Sequence, residues 1–318
     1  MRSRPDVLVL GGGGVLGLEW MMGLLGGIED IAGFDLRECE YLIGTSAGSI
    51  LAARLVGGRR PRRPDGDRQQ LDLPSVEAEL PEEEDLEEAP GVGATVLHGA
   101  RRAGEWTLAV GSPLAPIALG VARPAGTLLR AGVLSRIHAP DRTLDDLNAR
   151  VQQYGAGFDG RLRVACVDCA NGQRVIFGAP GAPPATVGEA VAASCAVPWL
   201  FAPVTISGRE YVDGGVWSST NLDAAPVGLD THVLCLNPTA GITGQHTLVG
   251  VARRLARSAV SVEALALRRR GAIVRTVAPD TEAAAAMGGD FMDSEPRPRV
   301  LAAGYAQGRR VGSEIGWA

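Results

Sequence analysis

Gly44-Thr45-Ser46-Ala47-Gly48 is the place in this chain where residue types and spacing first suggest chemistry. Gly-x-Ser-x-Gly between a strand and a helix makes a turn so tight that only glycines fit beside the serine, whose Oγ then projects above the sheet. The apolar run Tyr41-Leu42-Ile43 precedes it and a stretch of small residues follows, so the layout is that of a nucleophile elbow. An ordinary strand-to-helix turn would read the same way from five residues alone. Asp213-Gly214-Gly215 is a second candidate. A carboxylate at a strand end, followed by flexible glycines, can come close to another loop, as a base for Ser46 would have to. By itself an Asp-Gly pair is more often only a turn.

Gly11-Gly12-Gly13-Gly14 supplies a third element. A glycine-rich turn feeding a helix presents backbone N–H groups at the positive end of the helix dipole, which makes an anion site. Gly12, Gly14 and Gly17 also fit the dinucleotide fingerprint, so the anion could be a pyrophosphate or the oxyanion of a tetrahedral intermediate. A dinucleotide site needs an acidic residue at the far end of the second strand. Glu38 and Glu40 instead precede Tyr41–Ile43. The oxyanion reading is therefore preferred, with Gly12, Gly13 and Gly14 as donors.

These groups must be positioned by a larger frame. Val7–Leu10 is an all-apolar run suited to a strand buried on both faces, with a helix-compatible stretch following through Ile31. Thr186 to Cys195 reads as a buried helix, Thr186 its N-cap and Glu189 at the capping-box position. Pro198 and Pro203 then stiffen the connection into a hairpin of Val204–Ile206 and Arg209–Val212, which ends at Asp213. Further strands are expected at Leu162–Val167, Arg174–Phe177, Val233–Leu236 and Ile273–Val277. A long helix is expected over Leu248–Arg270, with more helix on either side of Pro296-Arg297-Pro298. Such alternation gives a parallel-rich sheet with helices on both faces.

In this order the four segments resemble the patatin-like phospholipase family. There a glycine-rich turn supplies the oxyanion hole, a Gly-x-Ser-x-Gly elbow the nucleophile and an Asp-Gly-Gly motif the base. Ser194, Ala196 and Pro198 match the family's Ser-x-Ala-x-Pro segment, and Asp168-Cys169-Ala170-Asn171-Gly172 is similar to a family hairpin. The matches run from Val7 to about Pro226. The resemblance implies a three-layer α/β/α fold with a mostly parallel central sheet. It also implies a Ser46–Asp213 dyad without histidine, supported by Gly44, Gly48, Gly214 and Gly215, and hydrolysis of lipid esters through an acyl-Ser46 intermediate. One departure is Leu16, where the family usually has Arg or Lys; it bears on preference for an anionic head group more than on catalysis.

Two other classes of function are compatible with the motifs. A Ser-His-Asp esterase of the α/β-hydrolase type would need one of His98, His138, His232 or His246, none of which lies in a motif. A non-catalytic nucleotide- or lipid-binding module would use the glycine turn and leave Ser46 inert.

Length and composition set the remaining expectations. With 318 residues and 46% apolar residues, the chain can bury one large α/β core, read here as a single domain over 1–318. Net charge is −5 and aromatics are 4%, which argues against a nucleic acid partner. Five scattered cysteines point to free thiols in a reducing compartment, and the lone Cys166-x-x-Cys169 pair does not make a metal site. No cofactor or metal is expected. The N-terminal apolar run is too short for a signal peptide, and the uncharged stretch Trp106 to Ala122 falls short of a membrane span. A cytoplasmic protein is expected, with peripheral membrane contact compatible with a lipid substrate. Residues 57–92 pass from an arginine-rich run to an acidic block and are expected to form a mobile charged insertion.

Overall fold

Val7-Leu8-Val9-Leu10 forms β1 (Val7–Leu10), and two-sided burial accounts for its composition. Leu8 and Leu10 enter one core while Val7 and Val9 enter another on the opposite face. The structure, a computed structural model, describes residues 4–64, 131, 132, 134, 141–240 and 248–314, with backbone only over 248–258.

β1 lies between β2 (Tyr41–Thr45) and β7 (His232–Leu236), both parallel to it. β3 (Leu162–Asp168) extends the parallel sheet beyond β2, and β8 (Ile273–Val277) extends it beyond β7. The antiparallel part is β4 (Arg174–Phe177) and β6 (Arg209–Asp213) on β3, with β5 (Val204–Ile206) on β6. The larger core is covered by α1 (Gly14–Ala32), α2 (Ala47–Val56), α3 (Asp145–Gln152) and α4 (Val187–Cys195). α5 (Leu248–Arg269) packs Val260, Ala264 and Leu267 on the other face, and α6 (Thr281–Met287) and α7 (Arg297–Glu314) return to the first. The result is the three-layer α/β/α arrangement with a mostly parallel sheet.

The register on β3 brings distant parts of the chain together. Val164 and Ala165 pair with both β2 and β4, whereas Cys166 and Val167 pair with both β4 and β6. A strand has two edges, so β4 occupies one and β2 and β6 share the other. β2 stops at Thr45 opposite Ala165, and β6 arrives from the opposite direction to stop at Asp213 opposite Cys166. The two strand ends therefore meet head-on along one edge of β3.

Local signals account for several elements. Thr186 Oγ1 accepts from Glu189 N–H at 3.2 Å and Glu189 Oε2 accepts from Thr186 N–H at 2.7 Å, completing the expected capping box of α4. Asp280 accepts from Ala283 N–H at 2.9 Å at the start of α6.

The start of the expected insertion needs correction. Residues 57–64 are docked on α1: Arg62 reaches the buried carboxylate of Glu19 at 3.0 Å, which also takes Arg297 from α7 at 2.8 Å. Arg63 pairs with Glu29 at 3.0 Å and Asp30 at 2.7 Å, and that guanidinium is the first cause of the lowered pKa of Asp30. Arginines that look solvated in the sequence find acids spaced along a helix earlier in the chain. Residues 65–92 and the stretch Trp106 to Ala122 lie outside the described residues. Among the described residues, no helix is long and apolar enough to cross a membrane.

Candidate active site

Ser46 sits between the end of β2 and the first residue of α2, with φ 51° and ψ −124°. A positive φ at a non-glycine residue is strained backbone that the surroundings must hold in place. The glycines make room for that: a Cβ on Gly48 would overlap the Leu10 carbonyl, and one on Gly214 the Ala165 carbonyl. Gly44 ends its pairing with β1 opposite Leu10.

Asp213 is 2% exposed and lies across the strand junction from Ser46. The Ser46 side chain is close enough to its carboxylate to lower the pKa, and Gly215 N–H donates to Oδ1 at 2.6 Å. Burial raises the Asp213 pKa to about 7, against the smaller opposing effects of Ser46 and the Gly215 amide. Cys166 and Cys195 are buried beside it. Their thiols are pushed up first by burial and then by the Asp213 charge. All five cysteines are free, as expected.

The glycine turn reaches the same place. A Cβ on Gly12 would lie 3.3 Å from the Ser46 Cβ. The three-donor expectation is corrected at Gly12, whose N–H is committed to the Ser219 carbonyl at 2.8 Å. The loop after Asp213 runs beneath the turn and takes that donor. Among the described residues, the N–H groups of Gly13 and Gly14 have no partner, and neither has that of Ala47. Gly14 and Ala47 open α1 and α2, so two helix N-termini converge beside Ser46.

An apolar cleft of about 60 Å³ opens at Ser46. Val15, Ile50, Leu144, Leu147, Phe201 and Met292 are among its lining. Those from α3 and from the α6–α7 loop lie in no recognisable motif, and no signal in the sequence marks them. Ala47 could have been found, because the residue after an elbow serine takes the first helical position. Ser194, in the sequence only a match to the family's Ser-x-Ala-x-Pro segment, accepts from Ser46 N–H at 2.9 Å and donates to the Ala165 carbonyl at 2.7 Å.

His232 is remote from this end. It starts β7 and its N–H donates to Asp6 at 2.8 Å, whereas the site lies level with Leu236 and beyond. Four strand steps, roughly 13 Å, separate the two levels. His98, His138 and His246 lie outside the described residues.

A serine on a strained strand-to-helix turn, at the carboxyl ends of a mostly parallel sheet wrapped by helices, defines the class: an α/β protein with an elbow-type serine site. Within that class the chain belongs to the patatin-like phospholipase family, whose profile matches residues 8–226. The family is one of lipid acyl hydrolases, which act on lipid substrates. No curated protein matches the sequence. Among solved structures the chain is similar to VipD from Legionella pneumophila, at 18% identity and a TM-score of 0.46, over 98% of this chain and 67% of that one. It is also similar to the type III effector protein ExoU, at 16% identity and a TM-score of 0.41, over 99% of this chain and 54% of that one.

Proposed function

We propose that the protein cleaves carboxylic esters of phospholipids or related lipids, with Ser46 as nucleophile and Asp213 as its base. One observation carries this reading: the Ser46 side chain lies against a buried carboxylate, that of Asp213, whose pKa is raised to about 7. Serine is a poor nucleophile until its proton is removed during attack. A carboxylate at its ordinary pKa of about 3.9 is a weak acceptor, and raising that value brings it near the working pH of a general base.

In the reaction, Ser46 Oγ adds to the ester carbonyl carbon and its proton passes to Asp213. The carbonyl oxygen becomes an oxyanion within reach of the free amides of Gly13 and Gly14, at the positive end of α1. The carbon–oxygen bond to the alcohol then breaks, and the departing alkoxide takes the proton from Asp213. Water adds to the acyl-Ser46 ester, giving a proton to Asp213. As the carboxylic acid leaves, that proton returns to Ser46 Oγ. The apolar cleft would hold the acyl chain, and a lipid substrate calls for contact with a membrane or micelle surface.

Ser46→Ala and Asp213→Asn test the assignment. Each is expected to lower ester turnover by about 10³-fold or more, and Ser46→Ala to abolish covalent labelling by a fluorophosphonate. Wild-type turnover in either variant would refute the dyad. Profiling wild type against phospholipid, lysophospholipid, glycolipid and simple ester, with Ser46→Ala as control, identifies the lipid class.

A further inference from the structure

The head-on meeting of β2 and β6 creates a problem that the sheet cannot solve. Where two strands end against each other on one edge of a third, no ladder hydrogen bond fixes the gap between them. Here that gap separates Ser46 from Asp213. Two fully buried side chains brace it: Asn221, from the side of the smaller core, ties the two strand ends to each other, and Ser194, from the side of the larger, ties the β2 end to β3.

Asn221 Nδ2 donates to Thr45 Oγ1 at 3.1 Å, to the Gly214 carbonyl at 3.2 Å and to the Ser218 carbonyl at 2.8 Å. Thr45 precedes the nucleophile and Gly214 follows the base, so one carboxamide touches both halves. Its orientation is set by the network: Arg174 donates to Oδ1 at 3.2 Å and is itself held by Asp223 at 2.6 Å. The Glu263 carboxylate, from α5, fixes the flanking residues. It accepts from Thr220 Oγ1 at 3.0 Å and from Leu222 N–H at 3.2 Å. On the other face, Ser194 joins Ser46 N–H to the Ala165 carbonyl of β3.

Resting on the dyad reading above, we infer that Asn221 and Ser194 are positioning residues: together they set the separation and angle between the Ser46 hydroxyl and the Asp213 carboxylate. Neither touches the reacting atoms. Both act through backbone or side-chain atoms one residue or less from them. Asn221 also has φ 49°, a left-handed conformation that glycine accepts without strain, so Asn221→Gly deletes the carboxamide while sparing the backbone. Ser194 lies in a helix, where alanine is favourable, so Ser194→Ala deletes only the hydroxyl.

The experiment measures turnover of a nitrophenyl ester, expressed per active site titrated with a fluorophosphonate reporter. Asn221→Gly and Ser194→Ala are each expected to lower kcat per titrated site by about 10- to 100-fold with KM changed less than about twofold, because misplacement of reacting groups costs rate more than binding. A purely structural role would reduce the number of titratable sites or the Tm and leave kcat per site within about twofold of wild type; that result overturns the inference. If Asn221→Gly gives no titratable protein, Ser194→Ala decides by the same criterion. Ser46→Ala and Asp213→Asn are assayed alongside. Activity retained in either removes the dyad reading, whereas activity lost in both but retained in the two positioning variants removes this inference alone.

Discussion

The α1–α7 contact and the β2–β6 junction are both tightly packed, yet they treat a buried carboxylate in opposite ways. In the helix pair, a Cβ on Gly23 would overlap the Leu301 carbonyl and one on Gly308 the Leu24 carbonyl. Trp20 Nε1 donates to Gln307 Oε1 at 2.8 Å, and Gln307 Nε2 donates to the Ala278 carbonyl at 2.7 Å. The Glu19 carboxylate, 1% exposed, is held by two arginines. At the junction the Asp213 carboxylate is as deeply buried, but among the described residues it is eased only by the Gly215 amide and the neighbouring Ser46 side chain. Ser46 beside it is held at a positive φ. The lesson is that burial alone does not define a functional carboxylate. A carboxylate paired with cations is held ionised within the packing, while one with no cation beside it among the described residues has its pKa raised toward neutral.

Asp213→Asn is the sharpest way to break that contrast. Besides the loss of turnover, it is expected to alter stability in a pH-dependent way. The pKa of Asp213 is raised from 3.8 to about 7 in the folded chain, so the folded state binds this proton more tightly than the unfolded one. Stability therefore falls as pH rises from the unfolded to the folded pKa, and the loss persists above it. Asparagine cannot ionise, so the variant should gain stability on the order of a few kcal/mol at alkaline pH and little under acid conditions. Thermal melts at two pH values check this, and an equal shift at both would mean that Asp213 titrates normally.

Glu19→Gln probes the other carboxylate. Removing its charge leaves Arg62 and Arg297 without their shared partner, at an expected cost of about 3 kcal/mol in denaturant unfolding. Turnover per titrated site should stay at the wild-type level, and a matching loss of kcat would tie the helix pair to the chemistry. The wild-type pH–rate profile should rise with pH through about 7 and then level, following ionisation of Asp213. A profile flat from acid to neutral pH would argue for another base. The smallest effect is expected from Met292→Ala, which removes one wall of the apolar cleft beside Gly14. Chain-length preference among nitrophenyl esters should move toward longer acyl groups by roughly threefold to tenfold, the worth of one to two methylenes.

Much of the frame was legible because its signals are local. Val7–Leu10 reads as a strand from composition alone, and Thr186 with Glu189 marks the start of α4 within four residues. The elbow and the Asp-Gly-Gly turn are likewise short motifs. The cleft was not legible, because Leu144, Leu147, Phe201 and Met292 are ordinary apolar residues until the chain folds them around one opening. The docking of residues 57–64 was missed for a related reason. Charge patterning along a segment says nothing of acids 30 or 40 residues away, such as Glu29 and Glu19.

The sequence by itself determined which groups were available: a serine that only glycines could accommodate in a tight turn, an acid at a strand end, and a run of amides opening a helix. Tertiary structure decided what they became. The register on β3 set Thr45 and Asp213 at adjacent positions on one edge, although 168 residues of numbering separate them. Packing of the loop after Asp213 took the Gly12 amide out of use and left those of Gly13 and Gly14 free. Burial with no counter-ion among the described residues then moved the Asp213 pKa, because desolvation depends on everything that surrounds a charge in space and not only on its neighbours in the chain.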